Sequence, residues 1–345
     1  MDDGIRVVIF GLGSLGAAIA KGILDKKGLK IVGVVDIARN LGGQDLGEAL
    51  QVGKKTGVLV TNDAERLLSR TKPHIAIIAT KSALEDIISE LVLCANAGVD
   101  VVSTCEQLSY PFHRHSELSR KIDQLAKKKG VTILGTGINP GYLMDLLPIT
   151  LTGACLQVHS IKITRMMNSA KRRISYQKKV GTGLTLKQFE QMIRDGIITG
   201  HVGLSESTAM IAAALGWKLD EIMELPPEPF VAKRQTVTSY TIVKPGCVTG
   251  LKSMAYGIMQ GKKVITQEFI SHADVEEEFD AISIEGLHNI NQRIMGGVHG
   301  DVGTVAVVLN MIPKVLNAQP GLVTMKDLPP PSAVIGDVRS HVRLQ

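Results

Sequence analysis

Residues 5–36 read IRVVIFGLGSLGAAIAKGILDKKGLKIVGVVD, and the order of residue types in this stretch decides the fold. A mostly apolar run, 5–10, meets Gly11, Gly13 and Gly16, and a segment rich in alanine (Ala17, Ala18, Ala20) follows. A second apolar run, 31–35, ends at Asp36, twenty positions beyond Gly16. Each glycine has its own physical task. Gly11 permits a tight turn, Gly13 lets backbone amides approach a pyrophosphate, and Gly16 lets a helix pack close to the strand. Leu12, Ser14 and Leu15 complete the loop, and the helix that opens there turns free N–H groups toward phosphate. A GxGxxG alone is a weak signal. Strand, turn, helix, strand and terminal acid together make it a dinucleotide site. Asp36 is placed to accept hydrogen bonds from the adenosine ribose hydroxyls, which favours NAD. Arg39 lies close enough in sequence to meet a 2′-phosphate, so NADP stays open.

The alternation continues through the first half. Strand-like runs at 57–61, 74–80 (HIAIIAT), 99–104 (VDVVST) and 131–136 (VTILGT) are separated by helix-patterned segments near 63–70, 82–97 and 115–129. This spacing predicts a doubly wound parallel sheet, with ligands beyond the carboxyl ends of the strands. The turns at those ends carry Ala79, Thr80 and Ser82, then Cys105 and Glu106, then Asn139. The topology therefore puts Glu106 at the cofactor edge. Asn139, in the turn GINPG, is placed to touch either cofactor or substrate.

After residue 150 the pattern changes. An alternating strand is expected at 157–168, helices near 186–196 and 204–215, and strands at 232–243, 248–260, 263–272, 279–286 and 289–295. Extended runs joined by short turns predict a mainly antiparallel sheet. An apolar helix near 302–315 is expected to pack back on the nucleotide domain, with the Pro-rich 329–331 segment as a surface tail. The predicted organisation is a Rossmann domain over 1–140, an α+β substrate and dimerisation domain over 141–300, and a C-terminal helix and tail over 301–345.

Composition narrows the function classes. The chain has 345 residues, 44% hydrophobic and 21% charged, with a formal net charge of +6, the balance of an ordinary globular protein long enough for two domains or for one with a large appendage. Aromatics are 3% of residues, too few for base-stacking platforms, and the basic residues are interspersed with acids, so no nucleic-acid partner is expected. The exception is a basic run, Lys171, Arg172 and Arg173 followed by Lys178 and Lys179, which reads as a solvated loop or as local attraction for small anions. Four cysteines without a CxxC pair argue against a metal site or a disulfide framework. No apolar run is long enough to span a bilayer and the first strand leaves no room for a signal peptide, so no membrane partner and a cytoplasmic location are expected.

Four further blocks are more specific than the glycine loop: GTGINPGYLMD (135–145), NSAKRRISYQKKVGTGLT (168–185), GHVGLSES (200–207) and HGDVGTVAVVLNMIP (299–313). At these the chain resembles the 2,4-diaminopentanoate dehydrogenase and native amine dehydrogenase family, within the dihydrodipicolinate reductase-like group. The resemblance implies NAD(P)-dependent oxidative deamination of an amine, with a catalytic glutamate after the strand, here Glu106. For the diaminopentanoate branch it implies conversion of 2,4-diaminopentanoate to 2-amino-4-oxopentanoate and ammonia, reversible as reductive amination. Together with an open sheet face, it also implies a homodimer.

The chemistry asked of Glu106 follows from the reaction. An ammonium has no lone pair to expel a hydride, so a base must first take its proton. The same carboxylate then holds the iminium by charge and activates the attacking water. Cys105 offers a rival thiolate mechanism, but a cysteine ending a buried strand reads better as a small core residue. For the substrate carboxylate, Arg165 is the first candidate, assisted by Arg172 or Arg173. Asn168, heading the basic segment, together with His201 and Thr304, completes the substrate-contact set. For each of these a turn-stabilising role is the alternative. Outside this reading stand oxidation of simple amines, a dihydrodipicolinate reductase-like reduction and an NAD-sensing module without turnover.

Overall fold

The computed structural model describes residues 4–38 and 40–343. Contacts divide the chain into two units, Met1–Tyr142 with Gly300–Gln345, and Leu143–His299.

In the first unit six strands follow one another: β1 (Ile5–Phe10), β2 (Leu29–Val35), β3 (Val60–Thr61), β4 (Ile75–Ile78), β5 (Asp100–Ser103) and β6 (Thr132–Gly135). Helices Ser14–Leu24, Ala64–Thr71, Ile88–Asn96 and Ser116–Lys129 lie between them. The strands lie in the order β6-β5-β4-β1-β2-β3, all parallel. All four residues of β4 are buried, as a sheet covered on both faces requires. The winding direction reverses between β1 and β4, the place where such sheets open a crevice for ligands. This is the doubly wound parallel sheet that the alternation predicts.

Reading 301–345 as helix and tail omits a seventh strand, Gly321–Val323, which joins β6 in parallel. Three residues are too few to show a periodicity. The last helix, Gly300–Leu316, packs on Ser14–Leu24 at a glycine: a Cβ at Gly22 would lie 3.0 Å from both Leu309 Cδ1 and Val305 Cγ1.

Asp100 at the start of β5 is a local weak point. Its Oδ1 accepts the Thr132 N–H at 2.7 Å, yet burial pushes its pKa from 3.8 up to about 6. A carboxyl raised in the folded state binds its proton more tightly there, so it costs stability as pH climbs from 3.8 through about 6. Asp100→Asn keeps the acceptor for Thr132 and removes the ionisation. Urea unfolding near pH 7.5 is expected to show a gain of up to about 3 kcal/mol that vanishes below about pH 4. A gain of equal size at both pH values would contradict this account.

The second unit carries β7 (Gln157–Asn168), β8 (Glu221–Glu224), β9 (Glu228–Val231), β10 (Thr236–Val237), β11 (Ile242–Val243), β12 (Val248–Met259), β13 (Lys262–His272), β14 (Phe279–Leu287) and β15 (Ile290–Met295). The main sheet runs β15-β14-β7-β13-β12-β8, with β9 also beside β12. Only β7 and β13 are parallel among these pairs. Helix Leu204–Leu215 covers one face: a Cβ at Gly257 of β12 would lie 3.0 Å from Thr208 Cγ2. On that inner face a single row of register partners crosses four strands, Ser253, Phe269, Arg165 and Asp280.

Two local expectations fail here. The stretch 232–243 is not one strand but holds the short β10–β11 hairpin. Its Thr238 hydroxyl accepts the N–H groups of Tyr240 and Thr241, closing a turn where a strand would run straight. The strands β8 and β9 are hidden in the sequence by Pro226, Pro227 and Pro229. Pro229 is tolerated because β9 is an edge strand and needs no N–H on its open side.

Candidate active site

The glycine loop has the shape a pyrophosphate needs. Gly11 has φ +88°, and a Cβ there would come within 2.7 Å of the Ala79 carbonyl oxygen. At Gly16 a Cβ would fall 2.0 Å from the Gly11 carbonyl, so strand and helix could not close. Around Gly13 the space is open to 4 Å, room for a ligand to approach backbone. Helix Ser14–Leu24 has no side-chain cap and no acid in its first turn, which leaves its N-terminal N–H groups for an anion. Gly16→Ala is therefore expected to weaken nicotinamide-cofactor binding at least tenfold by calorimetric titration; unchanged affinity would show the loop can shift.

Asp36 ties this loop to the end of β2. Its Oδ2 accepts the Leu12 N–H at 2.6 Å and its Oδ1 the Ala38 N–H at 2.7 Å. Each oxygen keeps a second lone pair, so the ribose role remains compatible. A cavity of about 690 Å³ beside it is lined by Asp36, Ile37, Thr61, Asn62 and Arg66. Ile37 is 87% exposed, an apolar side chain presented where a flat base would need one. Arg39 lies outside the described residues.

The turn after β5 is held from several sides. The Cys105 N–H donates to Ser103 Oγ, the Leu84 N–H to Gln107 Oε1, and the Ser109 hydroxyl to the Glu106 carbonyl. Ser82 contributes its carbonyl, which accepts from the Gln107 N–H and from the Cys105 thiol at 3.1 Å. Cys105 is 1% exposed within an apolar cluster, so its thiol packs as a core group. The Glu106 carboxylate, by contrast, is half-buried and takes no hydrogen bond or ion pair among the described residues. Its backbone is fixed and its charge is uncommitted. Thr80 donates to Glu90 at 3.3 Å, a contact that orders the β4 turn.

Asn139 sits in the turn 137–141, where Gly141 has φ +127° and a Cβ would lie 2.5 Å from the Gly137 nitrogen. Thr304 braces this turn: its Oγ1 accepts the Ile138 N–H at 3.2 Å. The structure thus shows Thr304 holding this turn.

In the second unit Arg165 is not the open donor that the sequence suggests. It is 2% exposed; Nη2 donates to the Val298 carbonyl at 2.6 Å, and Nε points at Met167 Sδ at 3.1 Å. Nη1 lies 3.2 Å from Asp280 Oδ1, close enough for an ion pair, yet it completes no hydrogen bond among the described residues. Burial pulls the Arg165 pKa down, and the Asp280 carboxylate opposes that pull. Nη1 is the guanidinium nitrogen that makes no hydrogen bond among the described residues.

His201 stacks on Phe269, the register neighbour of Arg165, with ring centroids 4.1 Å apart. The His201 backbone N–H donates to Ser253 Oγ at 3.0 Å. Burial, then the charges of Lys179 and Arg165, push its pKa down to about 3, so the imidazole is neutral near pH 7. Asn168 is spent on structure: its Nδ2 donates to the Val275 carbonyl and its Oδ1 accepts the Ala170 N–H, both at 2.8 Å. Its side chain holds a turn, the alternative role open to it from the sequence. Arg172 lies over the Tyr176 ring at 5.7 Å, and Arg173 is exposed at the head of helix Ile174–Lys179. The partners Asp280, Phe269 and Ser253 were not foreseen. Strand alternation could show they share a face, but not that they share a row.

Comparison with known proteins bears on these features. Residues 142–344 match the C-terminal domain of 2,4-diaminopentanoate dehydrogenase, and residues 5–134 match the N-terminal domain of dihydrodipicolinate reductase. The 2,4-diaminopentanoate dehydrogenase of Acetoanaerobium sticklandii is 35% identical over 98% of this chain and 97% of its own. The chain belongs to the 2,4-diaminopentanoate dehydrogenase family. It is accordingly an NAD(P)-dependent amine dehydrogenase. An amine dehydrogenase of Streptomyces virginiae is 23% identical over 94% of this chain and 96% of its own. Among solved structures, the amine dehydrogenase from Mycobacterium smegmatis superposes with a TM-score of 0.84 at 28% identity, covering 96% of this chain and 98% of that one. A dihydrodipicolinate reductase from Paenisporosarcina sp. TG-14, at 14% identity and a TM-score of 0.51 over 94% of this chain and 99% of that one, shares the fold.

Proposed function

We propose that this amine dehydrogenase oxidatively deaminates the 4-amine of 2,4-diaminopentanoate, giving 2-amino-4-oxopentanoate and ammonia, and runs in reverse as a reductive amination. The observation that carries the reading is the Glu106 carboxylate, fixed by its backbone after β5 and uncommitted among the described residues. A bound nicotinamide supplies the hydride acceptor. The loop 11–16 and Asp36 would hold it, and the Asp36 carboxylate disfavours a 2′-phosphate by like charge, so NAD is preferred. Glu106 takes a proton from the substrate ammonium and passes it to solvent; ionised again, it holds by charge the iminium left after hydride loss, and then takes a proton from the attacking water. Arg165, through Nη1, and the neutral His201 are our choice for the substrate carboxylate, and Asn139 for cofactor or substrate amide contact.

A second reading, oxidation of simple amines without a carboxylate, is favoured by one fact: Arg165 already faces Asp280. A panel of 2,4-diaminopentanoate, 4-aminopentanoate and 2-aminopentane with NAD and NADP, followed at the reduced-nicotinamide absorbance, separates the two. The proposal expects the highest kcat/KM on the diamino acid with NAD. A preference for 2-aminopentane would favour the second reading.

A further inference from the structure

Glu278 is among the charged groups of the second unit that the mechanism leaves unused. It stands directly before β14, two residues ahead of Asp280, which is the register partner of Arg165. Its Oε2 accepts the Asn168 N–H at 3.0 Å, which pins it at the end of β7. The side chain is half-buried, and its other oxygen has no hydrogen-bond or ion-pair partner among the described residues. Its charge acts on both members of the buried pair, favouring the Arg165 cation and opposing ionisation of Asp280. Glu276 and Glu277 are exposed, and Glu277 pairs with Arg293 at 2.8 Å. Asp280 is spent on Arg165 and on the Val298 N–H. Glu278 is thus the uncommitted anion beside a fixed guanidinium.

That juxtaposition has a chemical complement. An α-amino acid carries an ammonium one carbon away from a carboxylate, so a receptor for it needs a fixed cation and a fixed anion side by side. We propose that Glu278 determines specificity by accepting the α-ammonium of the substrate, so that diamino acids are taken in preference to amines bearing a carboxylate alone. This rests on the amine dehydrogenase reading above and names the partner of the second amine, the one that does not react.

The rival role is structural, an acceptor for the Asn168 N–H and nothing more. Glu278→Gln separates the two, because the amide oxygen still accepts that N–H while the charge is gone. Steady-state kinetics on 2,4-diaminopentanoate and on 4-aminopentanoate, which lacks the α-amine, give the readout. The expected result is a roughly ten- to hundredfold loss of kcat/KM on the diamino acid, with 4-aminopentanoate changed less than about threefold. Glu278→Asp, which restores the charge, is expected to recover part of the loss. Equal losses on both substrates, or no loss on either, overturn the assignment. Wild-type enzyme that oxidises neither amine overturns the substrate reading, and this assignment with it.

Discussion

Glu106→Gln is expected to lower kcat for oxidative deamination by about a thousandfold or more, while the affinity for NAD changes less than about twofold. General acid–base groups commonly contribute 10²- to 10⁴-fold, and here one carboxylate is asked to serve three successive proton and charge tasks. Glutamine matches the shape of glutamate, so the pinned turn at Cys105 and Gln107 persists and cofactor binding reports that the fold is intact. Single-turnover reduction of NAD by an excess of amine, beside calorimetric titration of the cofactor, measures both quantities. Retention of more than about a tenth of the wild-type rate would remove Glu106 from the chemistry. Loss of cofactor affinity in parallel would instead make it structural.

The second large effect concerns the buried row. Arg165→Ala is expected to destabilise the protein by about 3–5 kcal/mol, because it strands the Asp280 carboxylate in a site that is 6% exposed. Asp280→Ala should cost a similar amount by stranding the guanidinium. The double variant Arg165→Ala/Asp280→Ala is expected to lose clearly less than the sum of the two single changes. It will not return to wild type, since the Val298 N–H and carbonyl each lose a partner, at about 1–3 kcal/mol apiece. Urea midpoints for the four proteins complete the cycle. Strict additivity would mean that the two groups, 3.2 Å apart, do not depend on each other.

What the sequence discloses and what it conceals divide along the range of the interactions involved. The glycine loop, the apolar β4 and β5, and the acid after β5 are local patterns, so sheet class and the position of Glu106 can be read directly. The alternation of β7 likewise marks Arg165 as inward-facing. That Arg165 meets Asp280 there, and that Asn168 is consumed by the Val275 carbonyl, depend on register between strands far apart in the chain. No window of sequence carries that register. Thr304 is the same case: the Ile138 N–H that donates to its hydroxyl comes from a turn 166 residues away in the chain. Short strands such as Gly321–Val323, and proline-bearing ones such as β9, escape because pairing alone makes them strands.

The buried row has a consequence for how this enzyme can change over generations. If Arg165 takes the substrate carboxylate, as proposed, it serves ligand and scaffold at once and cannot drift freely. A lineage, or an engineering campaign, that seeks to abandon acids for plain amines by replacing Arg165 alone must cross a fitness valley of misfolded intermediates. Exchanging Arg165 and Asp280 in one step, or first installing stabilising changes elsewhere, is the passable route. New selectivity at this position should therefore arise in coordinated pairs, and libraries that vary one position at a time will miss it.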